Sequence, residues 1–235
     1  MVIDLARVCD WLAGPEGASV RVVILRGEGK SWCTGMDLKQ RSKEESAKMA
    51  AAAVAAFRGW ASLPQVRIAA VHGPVVGGGN GLACACDFIV ATERSYFLYS
   101  EVRRGIVPAI ISVFCVPRLG PTLAKSLLTT GVPLTASHAL AVGLVWSVET
   151  SAVAVERRCL DIAATCLQAA PGARQATANL IDIVATSTTD DALAAARSTF
   201  QRAMASDEAK YGIGSFLRKQ KPDWDAFAAR QRAKL

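Results

Sequence analysis

Short apolar runs rich in β-branched residues alternate with longer Ala-rich stretches through the first 150 residues of the chain. The runs predict strands at Val20–Arg26, Val66–Val71, Asp87–Thr92, Tyr96–Tyr99 and Val145–Val148. Ser42–Trp60, rich in Ala, Lys and Glu, predicts a helix, and Thr135–Gly143 predicts another that is capped by Thr135 and closed by Gly143. Strands that alternate with helices indicate an α/β core over residues 1–150.

The pattern changes at Ser151, after which Ala-rich helical stretches continue to the C-terminus. Three segments are expected to interrupt them, namely Pro171–Gly172, Ser187–Thr189 and Gly212–Gly214. Residues 151–235 are therefore expected to form a helical C-terminal region behind the α/β core.

Length, composition and charge limit the number of domains and the kinds of partner expected for this chain. The chain has 235 residues, 51% of them apolar and 20% charged, which is enough to bury a core as one large domain or two small ones. The net charge of +7 suggests anionic small molecules as partners. The basic residues lack the clustered stripe of a duplex binder and the aromatic interleaving of a single-strand binder, so no nucleic-acid partner is expected.

Neither a membrane anchor nor a metal site is expected. The longest apolar run, Ile106–Val116, is interrupted by Pro108 and Ser112, and the first residues lack the pattern of a secretory signal. Seven cysteines without a Cys-x-x-Cys pair, and two histidines without ligand spacing, indicate free thiols in a reducing compartment. The expected location is the cytoplasm, with the mitochondrial matrix as the alternative.

A glycine cluster at Gly77–Gly81 follows the predicted strand Val66–Val71. It fails as a Walker loop because Gly79–Asn80 stands where Lys and Ser/Thr are required, and it also fails the G-x-G-x-x-G pattern. Glycines at a helix start allow a ligand oxyanion to approach free N–H groups, although tight strand-to-helix packing explains them equally well. The loop Cys33–Leu38 also follows a strand and could offer another N–H.

Several blocks together resemble the enoyl-CoA hydratase/isomerase (crotonase) family, in an order and spacing that cover nearly the whole chain. They are Gly35–Leu38, Val71–Leu82 with Cys86–Asp87, Phe97–Val102, Gly105–Ala109, Pro117–Gly120, Leu128–Gly131, Ala136–Val145 and Phe216–Trp224. The resemblance implies a spiral of ββα turns with a C-terminal helical trimerisation region, and an acyl-CoA thioester as substrate. It implies no cofactor other than the coenzyme A of the substrate, and a homotrimer or a dimer of trimers.

Site residues are carried over from the family by position. The N–H groups of Met36 and Gly78 are expected to form an oxyanion hole around the thioester carbonyl, with Glu101 as the catalytic carboxylate. Further residues are expected at the substrate: Thr34, Gly77, Gly81, Pro108, and Lys39 and Lys219 near coenzyme A. Without the resemblance, Glu101 would be interpreted as a solvated carboxylate paired with Arg103 or Arg104.

The chain departs from the best-known hydratases of the family, which carry two glutamates. Gly81 stands at the first position and only Glu101 remains. Three segments, Gly77–Leu82, Ser100–Val102 and Val107–Ser112, resemble methylglutaconyl-CoA hydratase-like members, which also have glycine at that position. This resemblance favours hydration or dehydration of a 2-enoyl-CoA, with a branched chain in the methylglutaconyl case, and Glu101 as the single acid/base. A lone carboxylate also suits a 3,2-enoyl-CoA isomerase, and a catalytically silent CoA-binding subunit is the third alternative.

Family members usually begin with two further strands before the first helix, whereas Met1 already resembles the start of that helix. The core is therefore expected to be short by an N-terminal strand pair and to expose a sheet edge where that pair would lie.

Overall fold

A computed structural model describes residues 1–37 and 42–232 of the chain. They form two compact units, one up to Ala163 and one from Ala164 onwards. The strands are β1 (Val22–Arg26), β2 (Val66–Val71), β3 (Val75–Val76), β4 (Phe88–Thr92), β5 (Tyr96–Leu98), β6 (Leu134–Thr135) and β7 (Ser147–Glu149). The helices are α1 (Val2–Ala13), α2 (Lys43–Ala61), α3 (Gly78–Cys84), α4 (Ala109–Thr130), α5 (Ala136–Ala141), α6 (Ala152–Leu167), α7 (Pro171–Thr186), α8 (Thr189–Ala205), α9 (Asp207–Leu217) and α10 (Trp224–Arg232).

The first unit is built on a parallel sheet with strand order β1-β2-β4-β7. The central strand β2 is paired on both sides, with Ile68 opposite Ile24 of β1 and opposite Phe88 of β4. Five of its six residues are buried, as expected for a parallel strand covered on both faces. Strand β1 lies at the edge of this sheet and pairs only with β2 among the described residues.

A smaller sheet, with order β3-β5-β6, positions the glycine cluster. Strand β3 runs parallel to β5, and Cys33 makes an isolated parallel bridge to Val75 of β3. The chain leaves β3 directly into the start of α3, and it leaves β5 towards a 3₁₀ turn at Glu101–Arg104. Parallel pairing therefore brings both of these exits, and the loop after Cys33, to one end of the small sheet.

Helix α4 begins at Ala109, directly after the N-cap residue Pro108, and is interrupted at Gly120 (φ 70°, ψ 156°). It is the one helix among the described residues that is long and apolar enough to cross a membrane by length and composition. One face of α4 is nevertheless buried in the core of the first unit, through residues such as Ile111, Cys115 and Leu119. The length and apolar composition of α4 are also those of a helix in a protein core.

The second unit consists of the helices after Ala164. Tyr211 of α9 stacks on Phe227 of α10 with ring centroids 5.1 Å apart, and Trp224 meets Tyr211 edge-on at 5.4 Å. The Glu208 carboxylate accepts hydrogen bonds from the N–H groups of Gly172 and Ala173, at 2.8 and 2.9 Å, and so caps the start of α7.

The predicted elements are largely present, with two corrections. The last strand of the core lies at Ser147–Glu149 rather than Val145–Val148, because Leu144 and Val145 are buried directly after α5. The break predicted at Gly212–Gly214 is wrong, since α9 continues through both glycines. A Cβ at Gly212 would lie 3.0 Å from the Trp224 ring, so this glycine admits a tryptophan and does not end the helix.

Candidate active site

Gly35 brings the loop after Cys33 against the first residue of α3. Its φ of 84° is a left-handed conformation that favours glycine, and a Cβ there would lie 2.7 Å from the backbone nitrogen of Gly78. A Cβ on Gly78 would in turn lie 3.8 Å from the backbone nitrogen of Met36. Neither the Met36 nor the Gly78 N–H has an acceptor among the described residues. The two expected oxyanion donors are therefore neighbours, and both N–H groups are available.

Gly77, the residue before this donor, lies against the Glu101 carboxylate. A Cβ on Gly77 would be 3.2 Å from Oε1 of Glu101, and Gly77 has φ 53° and ψ −122°, a backbone conformation that L side chains rarely adopt. Glycine at position 77 thus gives the peptide its unusual direction and leaves room for the carboxylate. The structure brings together Met36, Gly77, Gly78 and Glu101.

Glu101 is a half-buried carboxylate without a salt-bridge partner among the residues described. Its Oε2 is buried and has no hydrogen-bond partner there. Arg103 donates to the Thr130 carbonyl at 3.1 Å, and Arg104 donates to the Ser100 carbonyl at 3.2 Å and to the Ser100 hydroxyl. The structure therefore does not support the alternative interpretation of Glu101 as an arginine-paired surface carboxylate.

Burial raises the pKa of Glu101 above its ordinary 4.5, and a hydrogen bond from its own backbone N–H, together with the positive charge of Arg104, offsets part of that effect. A carboxyl group whose pKa is moved towards neutrality exchanges protons more readily at physiological pH than an exposed one. Glu101 thus has the environment of a general acid/base.

Gly81, one helical turn after the Gly78 donor, is covered by apolar side chains. A Cβ on Gly81 would lie 2.7 Å from Cγ2 of Ile111 and 3.3 Å from Cε2 of Phe57. The Phe57 ring also packs edge-on against Phe114 at 5.8 Å. The position is therefore closed, and Gly81 contributes no side chain to a substrate.

The remaining residues expected at the substrate lie at different distances from this centre. The Thr34 carbonyl oxygen would be 4.0 Å from a Cβ on Gly77, while Pro108 is buried at the start of α4. Lys39 lies outside the described residues. Lys219 lies in the second unit, directly after α9, with φ 56°. The roles of these four residues stay predictions.

No group of three or more potential metal ligands occurs in the described part of the chain. His72 Nε2 lies 3.0 Å from the Gly29 carbonyl oxygen, as in a histidine that holds a loop in place. The seven cysteines are all free.

Comparison with known proteins identifies the family. The family described as Enoyl-CoA hydratase/isomerase matches residues 10–227. The chain belongs to this family. Membership confirms the resemblance seen in the sequence, and the family name agrees with the predicted enzyme class, a hydratase or an isomerase.

Individual relatives of the enoyl-CoA hydratase/isomerase family support the same assignment. Enoyl-CoA hydratase ACTT6 of Alternaria alternata is 32% identical over 216 residues, which cover 91% of this chain and 71% of that protein. A Thermus thermophilus relative is 38% identical over 151 residues, which cover 62% of this chain and 59% of its own, so the match spans less than two thirds of that relative. Pseudomonas aeruginosa AtuE has the same fold, with a TM-score of 0.88 and 32% identity over 96% of this chain and 89% of that one. The predicted crotonase fold is thereby confirmed.

Two residues with an evident part in shaping this site escaped the list of site residues predicted from the sequence. Gly35 lies in the Gly35–Leu38 block that carries the family resemblance, but only the structure shows that its missing side chain leaves room for the Gly78 nitrogen. Ile111 lies in the Val107–Ser112 segment, but an isoleucine in an apolar helix is indistinguishable from any other core residue before its neighbours are known.

Proposed function

We propose that the protein is an acyl-CoA hydratase/dehydratase that acts on a 2-enoyl-CoA thioester, with Glu101 as its single acid/base. The observation that carries the proposal is the position of the Glu101 carboxylate against Gly77, beside the N–H groups of Gly78 and Met36, neither of which has an acceptor within residues 1–37 and 42–232. The name of the Alternaria relative, enoyl-CoA hydratase, supports the same reaction.

The proposed chemistry needs two functions at this centre. The N–H groups of Met36 and Gly78 donate to the thioester carbonyl oxygen, and they stabilise the negative charge that develops there when the α-carbon loses a proton. In the dehydration direction the Glu101 carboxylate takes that α-proton. The enolate then reforms the carbonyl while the bond to the β-hydroxyl breaks, and the hydroxyl leaves as water with the proton returned by Glu101. Hydration reverses these steps and leaves Glu101 as a carboxylate.

A second candidate, a 3,2-enoyl-CoA isomerase, is favoured by the apolar cover over Gly81. Ile111 and Phe57 occupy the position from which a second carboxylate would project, so no side chain at position 81 holds a water molecule. One carboxylate is sufficient to remove a proton from one carbon and return it to another.

The test separates the candidates with two substrates. The protein is incubated with a 2-enoyl-CoA and with a 3-enoyl-CoA, and the 3-hydroxyacyl and conjugated products are quantified. We expect water addition to the 2-enoyl-CoA, loss of that turnover in Glu101→Gln, unchanged CoA affinity by calorimetry, and full activity in the control Glu93→Gln, which alters an exposed carboxylate. Conversion of the 3-enoyl-CoA without hydration would establish the isomerase. Full turnover by Glu101→Gln would refute both, and CoA binding without turnover would identify a silent subunit.

The predicted homotrimer, or dimer of trimers, is also proposed, and exposed apolar side chains of the second unit support it. Large apolar residues along its helices remain open to solvent, among them Ile181, Leu193, Phe200, Phe216 and Leu217. An open groove of about 910 Å³ lies among α7, α8, α9 and α10. Apolar surface of this kind is typical of an interface between subunits. Sedimentation should give the mass of three or six chains, and Phe200→Asp should lower that mass whereas Gln201→Glu should not.

Phosphates of coenzyme A remain the proposed partner of the net positive charge, with Lys39 and Lys219 as candidate contacts. This is tested by titrating each Lys→Ala variant with coenzyme A and with its dephosphorylated analogue. Weaker binding of coenzyme A, with unchanged binding of the dephosphorylated analogue, would support a phosphate contact.

A further inference from the structure

Asn80, the third residue of α3, is completely buried and bridges two backbone segments. Its side-chain amide donates to the Leu98 carbonyl at 2.9 Å and to the Gly77 carbonyl at 3.3 Å. Its backbone N–H donates to the same Gly77 carbonyl at 2.9 Å. The amide orientation follows from these partners, because both are acceptors and only the NH₂ group satisfies them.

The Gly77 carbonyl belongs to the same peptide group as the Gly78 N–H. A trans peptide is planar, with its C=O and N–H pointing in opposite directions, and the described chain has no cis peptide. Two donors from Asn80 that hold the Gly77 oxygen therefore also fix the direction of the Gly78 N–H. Gly77 needs this restraint because glycine has no side chain to limit its backbone rotation.

Leu98 ends strand β5, three residues before Glu101. Its carbonyl accepts the Asn80 amide and also the Gly77 N–H at 3.0 Å. The same side chain thus joins the peptide of the oxyanion donor to the segment that carries the carboxylate.

The Asn80 amide is costly to keep in this position. Its Oδ1 is buried and has no hydrogen-bond partner among the described residues. An unpaired buried acceptor lowers stability, so a residue chosen for packing alone would be apolar.

We propose that Asn80 is a positioning residue, an inference that rests on the proposed function. It aims the Gly78 N–H at the thioester oxygen and sets the distance between that N–H and Glu101. Asn80 is expected not to touch the substrate. Its removal should lower kcat and weaken stabilisation of an enolate, while KM changes little.

Gln65 provides a matched control in the same unit. It is also buried, its amide donates to two carbonyls, of Leu12 at 2.9 Å and Gly17 at 3.4 Å, and its Oε1 is likewise unpartnered. Those carbonyls lie at the end of α1 and in the turn after it, on neither of the segments that carry Gly78 and Glu101. Gln65→Ala removes the same chemistry from a structural position.

The experiment compares Asn80→Ala, Asn80→Ser and Gln65→Ala for thermal stability, for kcat and KM on a 2-enoyl-CoA, and for the spectrum of bound acetoacetyl-CoA, whose enolate absorbs where its keto form does not. We expect kcat of Asn80→Ala to fall by about 10-fold or more with KM within about 3-fold, as for a lost oxyanion interaction. The bound probe should lose its enolate band. Asn80→Ser, which keeps a shorter donor, should recover part of both and serves as the test if the alanine variant does not fold. Gln65→Ala should lose stability and keep both readouts.

An Asn80 variant that folds and matches wild type in kcat and in the probe spectrum overturns the proposal, as does an equal loss in Gln65→Ala. If wild type turns over no enoyl-CoA but binds the probe as enolate, and Asn80→Ala does not, the proposed function fails and the role of Asn80 stands. If wild type shows neither turnover nor an enolate band, both proposals are overturned.

Discussion

Ile111 of α4 occupies the place where a side chain at Gly81 of α3 would be, because a Cβ on Gly81 would lie 2.7 Å from the Ile111 Cγ2 atom. The glycine is therefore half of a packing pair, and its partner comes from a different helix. A glutamate cannot be introduced at position 81 without displacing Ile111.

Gly81→Glu should destabilise the protein and fail to create a two-carboxylate site. Overpacking of a filled core typically costs about 1–3 kcal/mol, and an unpaired buried carboxylate adds to that cost. In Gly81→Glu/Ile111→Ala we expect part of the loss to be recovered, although Ile111→Ala alone costs about 2–5 kcal/mol. Urea unfolding of the two single variants and the double variant measures the coupling. Additive free energies would contradict the pairing.

Gly35→Ala should abolish most of the activity. The new Cβ would lie 2.7 Å from the Gly78 nitrogen and would displace an oxyanion donor, for which losses of about 100-fold to 1,000-fold in kcat are typical. Gly29→Ala is the matched control, because Gly29 has a similar φ of 79° and nothing within 4 Å of its Cβ position. Both variants carry the left-handed strain of about 1–2 kcal/mol, so comparable activity in the two would contradict this role for Gly35.

Glu101→Gln should stabilise the protein at neutral pH. Because burial raises the pKa of Glu101 in the folded state above 4.5, the native state holds its proton to higher pH than the unfolded chain does. The free energy of unfolding therefore falls as pH rises from the pKa of Glu101 in the unfolded chain to its higher pKa in the folded protein, and it stays lower above that range. We expect a higher Tm for Glu101→Gln than for wild type at pH 8, and equal values below about pH 3, where the carboxyl is protonated in both states. Glu93→Gln should not reproduce the gain, and a gain that persists at low pH would rule out this explanation.

The same pKa sets the acid limb of activity. If Glu101 is the base, kcat/KM should decline as pH falls through the raised pKa, at a value above that of an ordinary glutamate. A pH profile with a 2-enoyl-CoA checks this, and a profile flat down to pH 4.5 would contradict the assignment.

Arg67→Ala should cost more stability than the loss of any exposed ion pair. The Arg67 guanidinium, 13% exposed, contacts both Asp87 carboxylate oxygens at 2.7 and 3.1 Å and also donates to the Trp60 carbonyl at 3.1 Å. Both side chains are partly exposed, 13% for Arg67 and 32% for Asp87, so Arg67→Ala should cost less than the roughly 3–5 kcal/mol typical of a fully buried pair. Arg26→Ala, which removes the exposed pair with Glu156, should cost less than about 1 kcal/mol. Denaturant midpoints compare the two directly, and equal losses would show that burial of Arg67 is not decisive.

Local sequence signals predicted the elements that frame the site. Thr135 caps a helix as predicted, with the backbone N–H of His138 donating to its hydroxyl. The predicted helix that starts at Ser42 is also present, and the structure adds that the Ser42 hydroxyl caps it by accepting from the Glu45 N–H. The helix start at Gly78 was likewise predicted from the glycine cluster. Signals of this kind lie within a few residues of one another and need no tertiary context.

Contacts between distant segments could not be predicted in the same way. The proximity of Gly35 to Gly78, of Gly81 to Ile111 and of Asn80 to Leu98 depends on strand pairing that brings three loops to one end of the small sheet. The family resemblance supplied Met36, Gly78 and Glu101 as candidates. It did not distinguish glycines that admit a neighbour's backbone, such as Gly79 against the Cys33 carbonyl, from those that turn the chain.

The side chain of Met36 is 58% exposed, and only its backbone N–H is assigned to the proposed site. The side chain of residue 36 can therefore change while its backbone N–H remains as a donor. A library randomised at this codon, with Gly35 held constant, should yield many active members.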